Sequence, residues 1–273
     1  MVEALYIFVT SERPDQYLNP ILHCLQSRNL SKIVFVHVEG VPDSEDDPNI
    51  SARSVRENVE SLLTLLAYHG KYKYFVKGMN EGKEVDLQPF YISVKLASMK
   101  EKYTLLKTRK VSWLEEEIHY SKVRARLAKI HEEEPNSLFD VSAVRKSYLS
   151  DILAIAVVEG IEGVYTFDLK RGANFDEPWK SLFHELEFKK RGPNGYDYVQ
   201  LTTTPIFKEC SKSILILRPP LIFSLFAATA LLMALSIISL IFGSTNWFVL
   251  IISGLATVAS ILSLAFTFFP LRR

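Results

Sequence analysis

Two long apolar runs near the end of the chain constrain its fold more than any other feature. Residues 221–242 and 247–269 contain no charged side chain and no histidine, and only residues 243–246 separate them. As a helix, each run would rise roughly 33 Å, enough to cross a hydrocarbon core about 30 Å thick. Because so short a spacer cannot connect parallel helices, the pattern predicts an antiparallel transmembrane hairpin.

The charges around this hairpin predict its orientation. Basic residues precede it at Lys208, Lys212 and Arg218, and Arg272 and Arg273 follow it. The positive-inside rule then places both ends in the cytoplasm. Balanced charge, 32 basic against 31 acidic residues, argues against a protein that binds duplex nucleic acid.

The water-facing part of the chain alternates between strand and helix patterns. This alternation predicts an α/β fold, a Rossmann-like and mostly parallel sheet flanked by helices. We expect one domain over residues 1–205, a linker over 206–218 and the hairpin over 219–273. Residues 78–112 carry mixed signals and receive no assignment. Strands are expected at 5–9, 33–38, 72–76, 138–141, 164–169 and 196–203, and helices at 20–28 (capped by Asn19), 51–70, 112–131 and 146–160.

Two polar segments follow predicted strands, where ligands bind in such sheets. Thr10, Ser11 and Arg13 come after the first strand and offer hydroxyls and a guanidinium to a phosphate. Without a ligand, they would form an ordinary strand-to-helix loop.

The second polar segment leads from a buried strand into a helix. It places a carboxylate, a hydroxyl and an ammonium group around one helix start, at Asp140, Ser142 and Lys146. On the residues alone, a serine N-cap with a neighbouring ion pair explains this segment equally well.

Asp140-x-Ser142-x-x-x-Lys146 resembles the Asp/Asn-x-Ser/Thr-x-x-x-Arg/Lys motif of CRISPR-associated Rossmann-fold (CARF) domains. The resemblance covers roughly residues 1–205. It implies a homodimer or higher homo-oligomer that binds a cyclic oligoadenylate, with the tetra-adenylate as the expected ring, across a dimer interface and without another cofactor. Thr10, Ser11, Ser142 and Lys146 would contact the ligand, and Arg13 and Asp140 complete the candidate set. The glycine-rich variant of the second segment is absent, which leaves ring size and individual contacts open.

Two rival functions use other residues. Asp140 with Asp168 and Lys170 is similar to the Asp…Asp/Glu-x-Lys arrangement of metal-dependent nucleases, which suggests a membrane-anchored nuclease, and a ring nuclease is a related alternative. The second rival function is a scaffold that recruits a partner through the acidic residues 42–49. Two cysteines and six scattered histidines show no ligand spacing, so we expect no metal site and no catalytic residue.

The hairpin has two possible roles, an anchor or an effector. Small and hydroxylated residues recur along one stripe of each run, which favours close helix packing and is also compatible with a pore lining. Since the upstream domain is expected to bind a ligand without catalysis, the hairpin is the candidate output. Together with this prediction, the resemblance to CARF domains implies a membrane effector of antiviral, type III CRISPR-like signalling that perturbs or permeabilises the inner membrane of a bacterial or archaeal cell when its ligand binds.

Overall fold

The computed structural model describes residues 3–42, 50–75, 80–170, 172, 174, 176–216 and 230. The chain divides into two compact units, residues 1–208 and 209–273. Apart from Ala230, the predicted hairpin lies outside the described residues. Among the helices that are described, none combines the length and the apolar character needed to span a bilayer.

A seven-stranded sheet forms the centre of the first unit and confirms the predicted Rossmann-like α/β class. Its strand order is β5-β2-β1-β6-β7-β9-β8, and all neighbouring strands are parallel except β7 and β9. A separate antiparallel pair joins β3 to β4. The strands are β1 (Glu3–Val9), β2 (Leu30–Glu39), β3 (Lys71–Lys73), β4 (Glu84–Asp86), β5 (Ser112–His119), β6 (Leu138–Asp140), β7 (Val164–Leu169), β8 (Glu187–Phe188) and β9 (Gly195–Gln200).

Helices cover both faces of the sheet because its central strands are apolar on both sides. In β1, Leu5 and Ile7 pack against one set of helices, whereas Tyr6 and Phe8 pack against the other. The first set is α1 (Asp15–Ser27), α2 (Ala52–Thr64) and α3 (Ser93–Lys107), and the second is α4 (Val123–Glu133) and α5 (Lys146–Glu159). A last helix, α6 (Pro205–Ile216), occupies most of the predicted linker.

The predicted helix over residues 112–131 is wrong in its first half. Residues Ser112–His119 form β5, the edge strand beside β2, and α4 begins only at Val123. The run of glutamates at 115–117 resembles a charged helix surface. Charged side chains are also common on edge strands, where they prevent pairing with the strands of other chains.

Two further boundaries differ because of tertiary contacts. The first helix begins at Asp15, so Pro20 lies inside it rather than at its start. Asn19 is buried instead of capping the helix, and its amide donates a hydrogen bond to the carbonyl of Ser181 at 3.0 Å. The predicted strand over residues 72–76 overlaps β3, which lies outside the main sheet.

Candidate functional site

The switch point of the sheet lies between β1 and β6. From β1 the chain proceeds through β2 towards β5 at one edge, and it returns at β6 to continue through β7 towards the other edge. The loop after β1 leads to α1 on one face, and the loop after β6 leads to α5 on the opposite face. Loops that separate in this way leave a crevice at the carboxyl ends of the strands, where open α/β sheets bind ligands.

The structure brings the two predicted polar segments together at this crevice. The Thr10 hydroxyl, directly after β1, donates a hydrogen bond to the carbonyl of Ala143, in the loop after β6. These residues lie 133 positions apart in the chain. Direct contact between the two loops makes them one site.

A buried tyrosine fixes the loop after β1. The Tyr17 hydroxyl accepts hydrogen bonds from the backbone N–H groups of Thr10 (3.0 Å) and Ser11 (2.9 Å), and donates to the Ser11 carbonyl (2.9 Å). The Ser11 hydroxyl oxygen accepts from the Arg13 N–H, and the Arg13 guanidinium pairs with Asp15 at 2.8 Å. The amides of Thr10 and Ser11 are therefore already bonded, and this loop presents side chains rather than those amides.

Asp140 fixes the loop after β6 from inside the domain. Its side chain is 1% exposed and accepts hydrogen bonds from the backbone N–H (3.1 Å) and the hydroxyl (3.0 Å) of Ser142. The Ser142 hydroxyl oxygen in turn accepts from the backbone N–H of Phe167 at 2.6 Å, which ties the loop to β7. The helix α5 begins after Arg145, so Ser142 is not its N-cap.

The surroundings of Asp140 are unusual for a carboxyl group. Burial raises the pKa of Asp140 to about 6, while its hydrogen bonds from Ser142 oppose the shift. The Tyr198 hydroxyl lies beside both Asp140 and Cys24, and burial raises the pKa of the Cys24 thiol to about 12. The neighbours of the Asp140 carboxyl are thus a protonated thiol and a phenol inside the domain. Asp140 therefore positions the loop after β6 and does not face the surface.

Positive and donor groups remain available around the crevice. The Lys146 side chain is exposed and forms no ion pair within the described part of the chain. The N-cap residues of α1 and α5, Pro14 and Arg145, make no side-chain cap hydrogen bond, although their carbonyls accept from the third N–H of each helix. Helix N-termini favour anions, and phosphate is the anion that they bind most often in such folds.

The residues of the nuclease alternative do not assemble. Asp140 points to the face covered by α1, where Tyr165 is its neighbour across the β6–β7 ladder. Asp168 lies an odd number of residues beyond Tyr165 and therefore points to the opposite face. Lys170 forms ion pairs with Asp168 (3.3 Å) and with Asp197 on β9 (2.5 Å), and these groups are solvated charges.

Sequence reasoning missed two tyrosines behind the loops. Tyr17 reads as one more apolar position of a helix, and Tyr198 as an alternating residue of an outer strand. No local pattern shows that the Tyr17 hydroxyl bonds to Ser11 or that the Tyr198 hydroxyl lies beside Asp140. Only the packing of α1 and β9 on the same face of the sheet brings them there.

Comparisons with known proteins give little that is similar to this chain. No protein-family model matches it, and no curated protein is significantly similar in sequence. Among solved structures, it is similar to Enterococcus italicus Csm6 bound to cyclic hexa-2'-fluoro-hexa-dAMP, with 10% sequence identity and a TM-score of 0.37. The match covers 99% of this chain and spans 59% of the length of that protein.

Proposed function

We propose that the crevice between β1 and β6 binds a cyclic oligoadenylate and that the bound state drives the apolar C-terminal segment to perturb the membrane. The observation that carries the proposal is the contact between Thr10 and Ala143, which joins two phosphate-compatible loops at the switch point. The motif that resembles CARF domains lies in the second of these loops.

The groups around the crevice suit a ligand with several phosphates. Lys146 supplies a mobile charge, and the uncapped amides of α1 and α5 supply fixed dipoles. The Ser11 hydroxyl accepts one hydrogen bond and keeps its proton for a ligand oxygen. Asp140 and Ser142 act behind these groups by holding the second loop in place.

A cyclic ligand with repeated phosphates matches a symmetric receptor. Two copies of one crevice, related by a two-fold axis, would present two sets of the same donors to one ring. Binding across such an interface changes the geometry between subunits, and that change is what could reorganise the attached apolar segments. We therefore propose a homodimer, or a higher homo-oligomer, as the active form at the inner membrane.

A binding titration tests the sensing step. The full-length chain in detergent is titrated by calorimetry with cyclic tri-, tetra- and hexa-adenylate, and we expect the tetra-adenylate to bind most tightly. Lys146→Ala should weaken binding about 10-fold or more, since a hydrogen bond to a charged group contributes about 1.5–3 kcal/mol. Lys110→Ala removes an exposed lysine of equal charge elsewhere and should leave affinity unchanged. Absence of binding to all three rings would refute the proposal.

Dye release from vesicles tests the output. The full-length chain is reconstituted into vesicles loaded with a fluorescent dye, and the ring that binds in the titration is added. We expect release with the wild type and a matching loss of response in Lys146→Ala at the same ligand concentration. If the ligand binds but neither dye release nor a change in membrane potential follows, the apolar segment is an anchor, and the effector part of the proposal is wrong.

A further inference from the structure

One histidine and two glutamates meet at the carboxyl ends of β2 and β5. His37 and Glu117 are direct neighbours in the parallel ladder, and Glu39 lies two residues further along β2, on the same face. Each side chain offers one ligand atom, and these atoms all lie within 4.8 Å of one another. The cluster shares no residue with the crevice but lies beside it, because His37 pairs with Val9, the residue before Thr10.

The Glu117 carboxylate is held by two contacts. One oxygen accepts a hydrogen bond from the backbone N–H of Ala52, the first residue of α2, at 2.8 Å. The other lies 2.7 Å from Nδ1 of His37, whose side chain is 14% exposed. Both side chains are thus fixed before any ligand arrives, whereas Glu39 is exposed and free to adjust.

An ion pair between His37 and Glu117 does not account for Glu39. Its carboxylate lies close to that of Glu117, and like charges at such a distance repel. Within the described ranges, neither Glu39 nor Glu117 forms an ion pair with a lysine or an arginine. Two neighbouring carboxylates without a matching fixed cation are an arrangement that a bound cation would stabilise.

We propose that His37, Glu39 and Glu117 form a binding site for a divalent cation of the Zn²⁺ or Mn²⁺ type. A neutral imidazole and two carboxylates bring two negative charges, which a divalent ion neutralises. The nitrogen ligand favours these ions over Ca²⁺ and Mg²⁺, which prefer sites made of oxygen alone. Three protein ligands leave a coordination position open to water or to a substrate atom.

The distances require only a small closure. Ligand atoms bind zinc at about 2.0–2.2 Å, so two ligands of one tetrahedral ion lie about 3.3–3.6 Å apart. The present upper separation of 4.8 Å therefore has to shorten by about 1.2–1.5 Å. Rotation of the exposed Glu39 side chain provides this without moving the sheet.

Sequence spacing alone hides this cluster. His37 and Glu117 lie 80 positions apart and become neighbours only because β5 pairs with β2. The expectation of no metal site rested on the absence of a local ligand pattern. A site assembled from two paired strands has no such pattern.

The test is a metal titration of the full-length chain in detergent after treatment with a chelator. We expect one site per chain that binds Zn²⁺ or Mn²⁺ more tightly than Mg²⁺. Glu39→Gln keeps the size of an exposed side chain and removes its charge, and His37→Gln removes the nitrogen ligand. Each substitution should weaken metal binding at least about 10-fold. Removal of a residue that only supports a metal ligand already costs about 10-fold in affinity, and removal of a ligand itself should cost at least as much.

The matched control is Glu101→Gln, which removes an exposed carboxylate from α3 and should leave metal affinity unchanged. Melting temperatures measured without metal identify a variant that fails to fold. If His37→Gln fails to fold, the metal affinity of Glu39→Gln decides the test, because the Glu39 side chain is exposed and its substitution should not disturb the fold. Unchanged affinity in Glu39→Gln would assign the metal to other groups, such as the acidic residues 43–47, and would overturn the proposal. Equal affinity for Mg²⁺ would overturn it as well. The experiment needs no nucleotide, so its result is independent of the proposed function.

Discussion

Asp140→Asn is the substitution whose effect the structure defines best. Burial raises the pKa of Asp140 from 3.8 to about 6. Between these values the unfolded chain has released the proton and the folded chain still holds it. The stabilisation from this group is therefore fully present below about pH 4 and is lost as the pH rises to about 6. A shift of about 2 pKa units corresponds to about 3 kcal/mol.

The asparagine side chain removes this dependence while it keeps most of the contacts. Its carbonyl can still accept from the Ser142 N–H, and its amide adds no charge to a fully buried position. The difference in unfolding free energy between variant and wild type should therefore rise, in favour of the variant, by about 2.4 kcal/mol from pH 4 to pH 7. Taking the difference cancels other titrating groups, such as Glu134 and Glu185, whose pKa values are lowered by hydrogen bonds from lysines.

The assay is urea unfolding of the full-length chain in detergent, followed by tryptophan fluorescence at pH values from 4 to 7.5. Trp113 and Trp179 report from the folded domain, where the former contacts Phe35 and the latter is buried. Asp86→Asn, at an exposed position, is the control and should differ from the wild type by less than about 0.5 kcal/mol at every pH. A constant difference between Asp140→Asn and the wild type over this range would show that the pKa of Asp140 is not raised, because the carboxyl group would then titrate as if it faced water.

Two further predictions concern the loop after β1 and the close approach of β7 to β6 at their amino ends. Tyr17→Phe should lower the unfolding free energy by about 1–3 kcal/mol, because the Thr10 and Ser11 amides lose their acceptor. Hydrogen exchange at these two amides should become faster. Unchanged exchange there would contradict the role of the Tyr17 hydroxyl. Gly163→Ala should lower the melting temperature, with a loss of about 1–3 kcal/mol, because its Cβ would lie 2.2 Å from the Ser137 carbonyl oxygen. Gly172→Ala is the matched control, since its Cβ would meet nothing within 4 Å, and an equal effect of both substitutions would exclude the steric explanation.

Local patterns were sufficient where one element decides its own structure. The continuous apolar run of β1 predicts a strand buried on both faces, and α5 ends at Gly160, which is left-handed, as the expected bounds of 146–160 require. They failed at β5, because glutamates on an edge strand and on a helix surface look alike in sequence. They failed again at Asn19, whose partner Ser181 lies 162 positions away.

The candidate site divides in the same way. Local sequence is enough to show which loops carry hydroxyls and charges, because each loop follows a strand that its own apolar residues define. It is also enough to show the charge-free segment that predicts a membrane hairpin. The folded domain was needed to show that Thr10 contacts Ala143, that Asp140 is buried behind Ser142, and that His37 contacts Glu117. Strand order is set by packing across the whole sheet, so contacts between distant residues cannot be read from any local pattern.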